Sequence, residues 1–182
     1  VLLFLINKFK VMKVLVVVDM QHDFVDGALG TSEAKQIVEN VKKKVELYWS
    51  VGDKVIYTQD THATNYLQTQ EGRNLPVEHC LKNSWGWEIL SEVYKTGAPV
   101  VEKKGFGSLE LSDMIAGIGE VESIELVGLC TDICVISNAM ILKSRFPEIP
   151  ISVDASCCAG VTPESHANAL RAMQMCQIQV MS

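Results

Sequence analysis

The sequence predicts an α/β fold: an open, mostly parallel six-stranded sheet with helices on both faces, a three-layer α/β/α arrangement of Rossmann-like type. Three observations carry that expectation. Short apolar runs alternate along the chain with segments of helical periodicity, the signature of strand–helix–strand units. The run KVLVVV (Lys13 to Val18) is continuously apolar, as a strand covered on both faces must be. Charged and nucleophilic side chains also recur directly after the strands, where parallel sheets bind ligands.

The elements follow in order. After the first strand, which ends in Asp19, Ser32 to Trp49 reads as a helix with Ile37, Val41, Val45 and Tyr48 on one face. Lys54 to Thr58 is a second strand running into Asp60, and a long irregular segment from Thr61 to about Trp85 is broken by Asn65, Gly72, Asn74 and Pro76. Glu88 to Tyr94 reads as a short helix, Pro99 to Glu102 as a third strand and Leu109 to Ala116 as a helix. Ser123 to Val127 is a fourth strand stopping at Gly128, and Asp132 to Arg145 a helix. Ile151 to Val153 is a fifth strand, Thr162-Pro163 caps and opens a last helix, and Ile178 to Met181 closes the sheet.

A chain of 182 residues fits one domain, here expected over residues 12–182. Residues 1–11 open with VLLFLINKF, too short to span a bilayer and without the basic n-region of a signal peptide. They read as an N-terminal extension, non-native or an extra arm, with Met12 a natural start. The net charge of −6 and the lack of a long basic run argue against nucleic acid and membrane as partners. Six cysteines in a large apolar chain without a secretion signal read as reduced thiols in a cytoplasmic protein. Cys130 and Cys134 do not form a CxxC, and no second pair completes a zinc knuckle.

The candidate chemistry lies at the strand ends. In GLCTDIC (Gly128 to Cys134) a glycine ends a buried strand and Cys134 falls in the first turn of the next helix, where backbone N–H groups lower a thiol's pKa and can hold an oxyanion. Standing alone, this turn is more simply a buried helix-start cysteine. Asp19 could serve as general base to the thiol, and Lys103 would favour the charged forms of both. Asp60 and His62 sit on the same side of an extended segment, and His79 follows in the loop with Glu71 and Glu78 nearby. A carboxylate and two imidazoles suit one divalent ion: zinc, iron or manganese. His22 and His166 have no such setting.

Five blocks together resemble the isochorismatase-like cysteine hydrolases, the nicotinamidases (pyrazinamidases) most of all. They are VVVDMQHDF (Val16 to Phe24), QDTH (Gln59 to His62), EHCLKNSWGWEI (Glu78 to Ile89), KKGFGS (Lys103 to Ser108) and GLCTDICV (Gly128 to Val135), in family order over nearly the whole chain. The resemblance implies a triad of Asp19, Lys103 and Cys134, with Lys103 preferred to Lys104 because it stands three residues before Phe106. It also implies a cis peptide before Cys130, and an oxyanion hole from the N–H groups of Cys130 and Cys134. A divalent metal would be held by Asp60, His62 and His79, and Phe24 would pack on a substrate ring. The activity implied is deamidation of nicotinamide in NAD salvage, by an amidohydrolase that forms a dimer or tetramer. Departures from the pattern concern the pocket. Only Glu71 stands near a fourth metal-site position, Leu75-Pro76-Val77 replaces a frequent tryptophan that Trp85 or Trp87 would have to substitute, and Leu109 replaces an aromatic.

Two other readings stay open on the sequence. The triad could act on another small amide, a ureido acid or an N-carbamoyl compound. Alternatively, Cys130, Cys134, Cys157 and Cys158 could be oxidisable thiols of a non-catalytic redox module, which would leave Asp19, Lys103 and the histidine pair unexplained.

Overall fold

The computed structural model describes residues 11–182, so the expectation for the N-terminal extension falls, apart from Val11, outside the described residues. Its sheet contains β1 (Met12–Val18), β2 (Lys54–Asp60), β3 (Val100–Lys103), β4 (Val121–Leu129), β5 (Ile151–Ala159) and β6 (Gln179–Met181). Every neighbouring pair is parallel, in the order β3-β2-β1-β4-β5-β6. The order reverses between β1 and β4, and a doubly wound sheet opens its ligand crevice at such a switch point, outside the carboxyl ends of the strands. Asp19 and the 128–134 turn leave the sheet there.

The helices are α1 (His22–Val25), α2 (Ser32–Ser50), α3 (Gln70–Asn74), α4 (Leu109–Ala116), α5 (Ile136–Arg145) and α6 (Pro163–Met175). Alternation along β1 explains the three layers. Leu15 and Val17 point into one core with Ile37, Val41 and Val45 of α2, while Val14, Val16 and Val18 point into the other with Leu111, Ile115 and Leu142 of α4 and α5. Thr31 caps α2 by accepting from Ala34 N at 3.0 Å, and Thr162 with Ser165 forms a capping box on α6. Among the described residues no helix is long and apolar enough to cross a membrane.

The structure departs from the sequence expectation in four places. The helix expected over Glu88–Tyr94 does not form: Ile89 bridges to Gln21, and Leu90 N donates to Met20 O. Burial of Leu90 and Val93 against the core ties this segment down as turns. The strand expected to end at Val153 continues to Ala159, because the pairing shifts from Leu126↔Val153 to Gly128↔Cys158 and β5 bulges between them. The helix expected from Asp132 begins as a wide π turn over Thr131–Val135 and becomes α-helical at Ile136. The irregular segment holds α3, a short 3-10 turn (Tyr66–Gln68) before it and another (Trp85–Trp87) after it.

The β5 bulge anchors a charged cluster under α2. Lys44 Nζ lies 2.8 Å from Glu125 Oε1 and 2.7 Å from Asp154 Oδ2, Tyr48 Oη donates to Glu125 at 2.5 Å, and Ser156 N and Oγ donate to Asp154 Oδ1. Burial pushes the Asp154 carboxyl up, but Lys44 and Ser156 outweigh it and hold it below its usual value of 3.8. A depressed carboxylate stabilises the fold above its unfolded pKa and loses that contribution as pH falls through the native value. Lys44→Met is therefore expected to cost about 1.5–3 kcal/mol at pH 7, with the deficit shrinking below about pH 4 as Asp154 protonates. Urea unfolding of both proteins at pH 7 and pH 3 measures this; an equal deficit at the two pH values would contradict it.

Candidate active site

Three chain segments bring the candidate triad together at the switch point. Asp19 leaves β1 with φ of 47°, a left-handed conformation costly for a residue with a side chain. It is held by Thr58, whose Oγ1 donates to Asp19 Oδ1 at 2.6 Å and accepts from Asp19 N at 3.2 Å. Lys103 ends β3 and reaches inward, its Nζ 2.7 Å from Asp19 Oδ2, 3.1 Å from Asp60 Oδ1 and 3.4 Å from Cys134 Sγ. Asp19, Lys103 and Cys134 are 0%, 3% and 5% exposed. The Leu129–Cys130 peptide is cis, in line with the resemblance. Gly128, at φ of 113°, lets β4 pass so close to β1 that a Cβ there would meet Val18 O at 2.1 Å.

Burial sets the protonation states. It acts against the Lys103 ammonium, but Asp19, Cys134 and Asp60 overcome it and hold the lysine protonated, above its ordinary range. It raises Cys134 well above the usual thiol range, helped by Asp19 and opposed by Lys103. The helix start alone would lower the thiol pKa, but here desolvation outweighs the Lys103 charge and shifts it upward. Asp19 is raised by burial despite the neighbouring ammonium. A carboxylate of raised pKa beside a buried thiol is an arrangement that could pass a proton between the two.

Beside the triad, four donor atoms converge. Asp60 ends β2, His62 is held in an isolated bridge to Leu81, Glu71 stands on α3 and His79 on the following loop. Their ligand atoms lie within 4.8 Å of one another. Asp60 Oδ2 is 3.0 Å from His62 Nε2 and 3.7 Å from His79 Nε2, and Glu71 Oε1 is 3.6 and 3.7 Å from the same nitrogens. His79 Nδ1 contacts Val77 O at 2.8 Å, which turns Nε2 into the cluster. His62 Nε2 is buried and, among the described residues, makes no well-formed hydrogen bond. Two imidazoles, two carboxylates and one orphaned nitrogen fit a divalent ion. Glu71, whose role the sequence leaves open, completes the cluster. A Cβ at Gly72 would meet Tyr66 O at 2.1 Å, so that glycine allows α3 to sit close enough to present it.

Cys134 opens on a cavity of about 360 Å³ that Asp60, Glu71 and His79 of the cluster also line, with Phe24, Leu75, Phe106 and Cys130 on its walls. Phe24 packs edge-on against His79, with ring centroids 5.6 Å apart. The two tryptophans do not line this cavity. Trp85 is exposed and stacks on His22 at 4.3 Å, and Trp87 donates from Nε1 to Thr61 Oγ1 at 2.9 Å. Leu75 therefore stands on the wall without an aromatic substitute, which corrects the expectation for Trp85 and Trp87.

The residue-by-residue reading missed the groups that brace the site. Buried Gln21 accepts from Asp60 N at 2.7 Å and donates to Asp60 O and Trp87 O at 2.9 and 2.8 Å, a clamp on the backbone of a cluster residue. Asp23 accepts from Cys80 N at 2.7 Å, fixing the residue after His79. Both lie within VVVDMQHDF, so their position was legible and their partners were not.

A family model described as "Isochorismatase domain" matches residues 13–182. The nicotinamidase of Escherichia coli (strain K12) is 25% identical over 195 residues, covering 90% of this chain and 90% of that protein. The pyrazinamidase of Pyrococcus horikoshii, solved in complex with zinc, superposes with a TM-score of 0.83 at 25% identity, over 93% of this chain and 98% of that one. The N-carbamoylsarcosine amidase of Thermoplasma acidophilum superposes with a TM-score of 0.77 at 27% identity, over 93% and 95%. With a family match over nearly its whole length and a sheet of the same architecture, the chain belongs to the isochorismatase family of hydrolases.

Proposed function

We propose that this chain is a metal-containing cysteine amidohydrolase that converts nicotinamide to nicotinate and ammonia through a thioester at Cys134, acting in NAD salvage in the cytoplasm. The observation that carries the reading is Lys103, whose buried ammonium lies 2.7 Å from Asp19 and 3.4 Å from Cys134, beside a cavity lined by Cys134 and by Asp60, Glu71 and His79 of the four-donor cluster.

The chemistry follows from these positions. Asp19 takes the thiol proton as Cys134 Sγ bonds to the amide carbon, and the carbonyl electron pair moves onto oxygen. The N–H groups of Cys130 and Cys134 receive that oxyanion; in comparable sites one such donor is worth about 10²–10³ in rate. As the oxyanion collapses, the C–N bond breaks and Asp19 returns the proton to the departing nitrogen, giving ammonia and a thioester. Asp19 then takes a proton from water, the water oxygen attacks the thioester, and the C–S bond breaks with the proton passing to sulfur. Lys103 stays charged throughout and compensates the negative charge on Asp19 and sulfur. Asp60, His62, Glu71 and His79 would hold the divalent ion, which when bound supplies a Lewis-acid contact for a ring nitrogen and so orients a pyridine carboxamide. Phe24 offers a wall for the ring.

Leu75 favours a second reading. Without an aromatic there, the cavity is shaped less tightly to a flat ring, and the likeness to an N-carbamoylsarcosine amidase supports an N-carbamoyl substrate handled by the same triad. Ammonia release from nicotinamide, pyrazinamide and N-carbamoyl compounds, with and without added zinc, iron or manganese, separates the two. The nicotinamide reading expects the highest kcat/KM on nicotinamide and dependence on metal. Activity confined to N-carbamoyl compounds, or independent of metal, would favour the second reading instead.

A further inference from the structure

Behind the turn that carries Cys134, the β5–α6 corner grips the chain at two points. Thr131, completely buried in the π turn, shares a 2.8 Å hydrogen bond between its Oγ1 and His166 Nδ1. Asp132, the next residue, accepts from Val161 N with both carboxylate oxygens at 3.2 Å. Gly160 makes the approach possible, since a Cβ there would stand 2.9 Å from His166 Cβ. His166 is in turn anchored in the first turn of α6, its N donating to Thr162 O at 3.0 Å. His166 also lines a cavity of about 220 Å³ with Gln36, Cys158 and Pro163.

We infer that His166 is a positioning residue for the reaction: through Thr131 it fixes the Cys130–Cys134 turn, and with it the nucleophile and the two backbone donors of the oxyanion site. This rests on the reading of Cys134 as nucleophile. A polar hydroxyl with no exposure needs a partner, and among the described residues its hydrogen bond is to His166. A nucleophile held in a turn must keep its geometry to within a fraction of an ångström, and small misplacements are costly in rate rather than in ground-state binding.

The test is made on the metal-loaded full chain. His166→Ala is expected to lower kcat for nicotinamide by about 10-fold or more, leaving KM and metal content close to those of the unaltered protein. His166→Asn, whose amide can meet Thr131 in place of Nδ1, is expected to recover most of the rate. Added imidazole, entering the enlarged cavity, is expected to raise kcat of His166→Ala and not of His166→Asn. Thr131→Val should show a similar loss, with the Thr131→Val/His166→Ala pair no worse than either alone. Should His166→Ala fail to fold, His166→Asn and Thr131→Val carry the comparison. Undiminished kcat in either His166→Ala or Thr131→Val would overturn the inference, as would a loss that neither asparagine nor imidazole restores. An unaltered protein with no amidase activity would instead overturn the functional reading and take this inference with it.

Discussion

Replacing Cys134 by alanine is expected to abolish ammonia release, lowering kcat by at least about 10⁴-fold, while the protein stays folded and binds metal. The size follows from the role: with the sulfur gone no thioester can form, and the remaining groups offer only positioning and oxyanion stabilisation. Folding should survive because the substitution removes one small buried atom at the edge of a core built from Val14, Val16, Leu126 and Val135. Lys103 also keeps its 2.7 and 3.1 Å contacts to Asp19 and Asp60. The measurement is steady-state ammonia release beside a thermal melt. Retained activity in a folded Cys134→Ala protein would exclude covalent catalysis at this residue.

The second large effect concerns the metal. His62→Ala, or exhaustive chelation, is expected to reduce kcat/KM for nicotinamide by about 10²-fold or more, and readdition of zinc or manganese should restore the chelated protein but not the variant. A stability readout accompanies it. Asp60 and Glu71 face each other across the cluster, each within 3.7 Å of both histidine nitrogens, and an ion that binds only the folded state stabilises it. Added metal should thus raise the melting temperature of the chelated protein and leave that of His62→Ala nearly unchanged. The same shift in both would place the ion elsewhere.

How far the sequence is legible depends on where the information lies. The β1 run Lys13–Val18, the α2 face of Ile37, Val41 and Val45, and α4 over Leu109–Ala116 are local patterns, and the structure reproduces them. The helix expected over Glu88–Tyr94 failed because its apolar residues satisfy a tertiary demand: Leu90 and Val93 are drawn into the core, and the backbone bonds to Met20 instead of to itself. The extension of β5 to Ala159 depends on a register shift against β4, which no local pattern records.

The site divides in the same way. Asp19, Asp60, Lys103 and Cys134 could be read because strand ends in a parallel sheet converge on one edge. The thiol pKa could not, since it turns on burial that only the assembled fold supplies. Glu71 needed the tight packing of α3 on Tyr66 to be placed, and His166, which has no ligand-type setting in the sequence, gains a partner only where the fold sets it against Thr131. Trp85 and Trp87 show the converse: the right residue type near the right place in sequence, carried away from the cavity by contacts with His22 and Thr61.

A thioester at Cys134 can be trapped with hydroxylamine. Hydroxylamine attacks a thioester to give a hydroxamate and the free thiol. In the nicotinamide assay with hydroxylamine present, nicotinohydroxamate is expected to form at the expense of nicotinate. Total ammonia release should not fall, and an acid-quenched sample should carry a nicotinoyl group on the Cys134 peptide. Steady ammonia release with nicotinate as the only product, and no acyl group on Cys134, would contradict a thioester there.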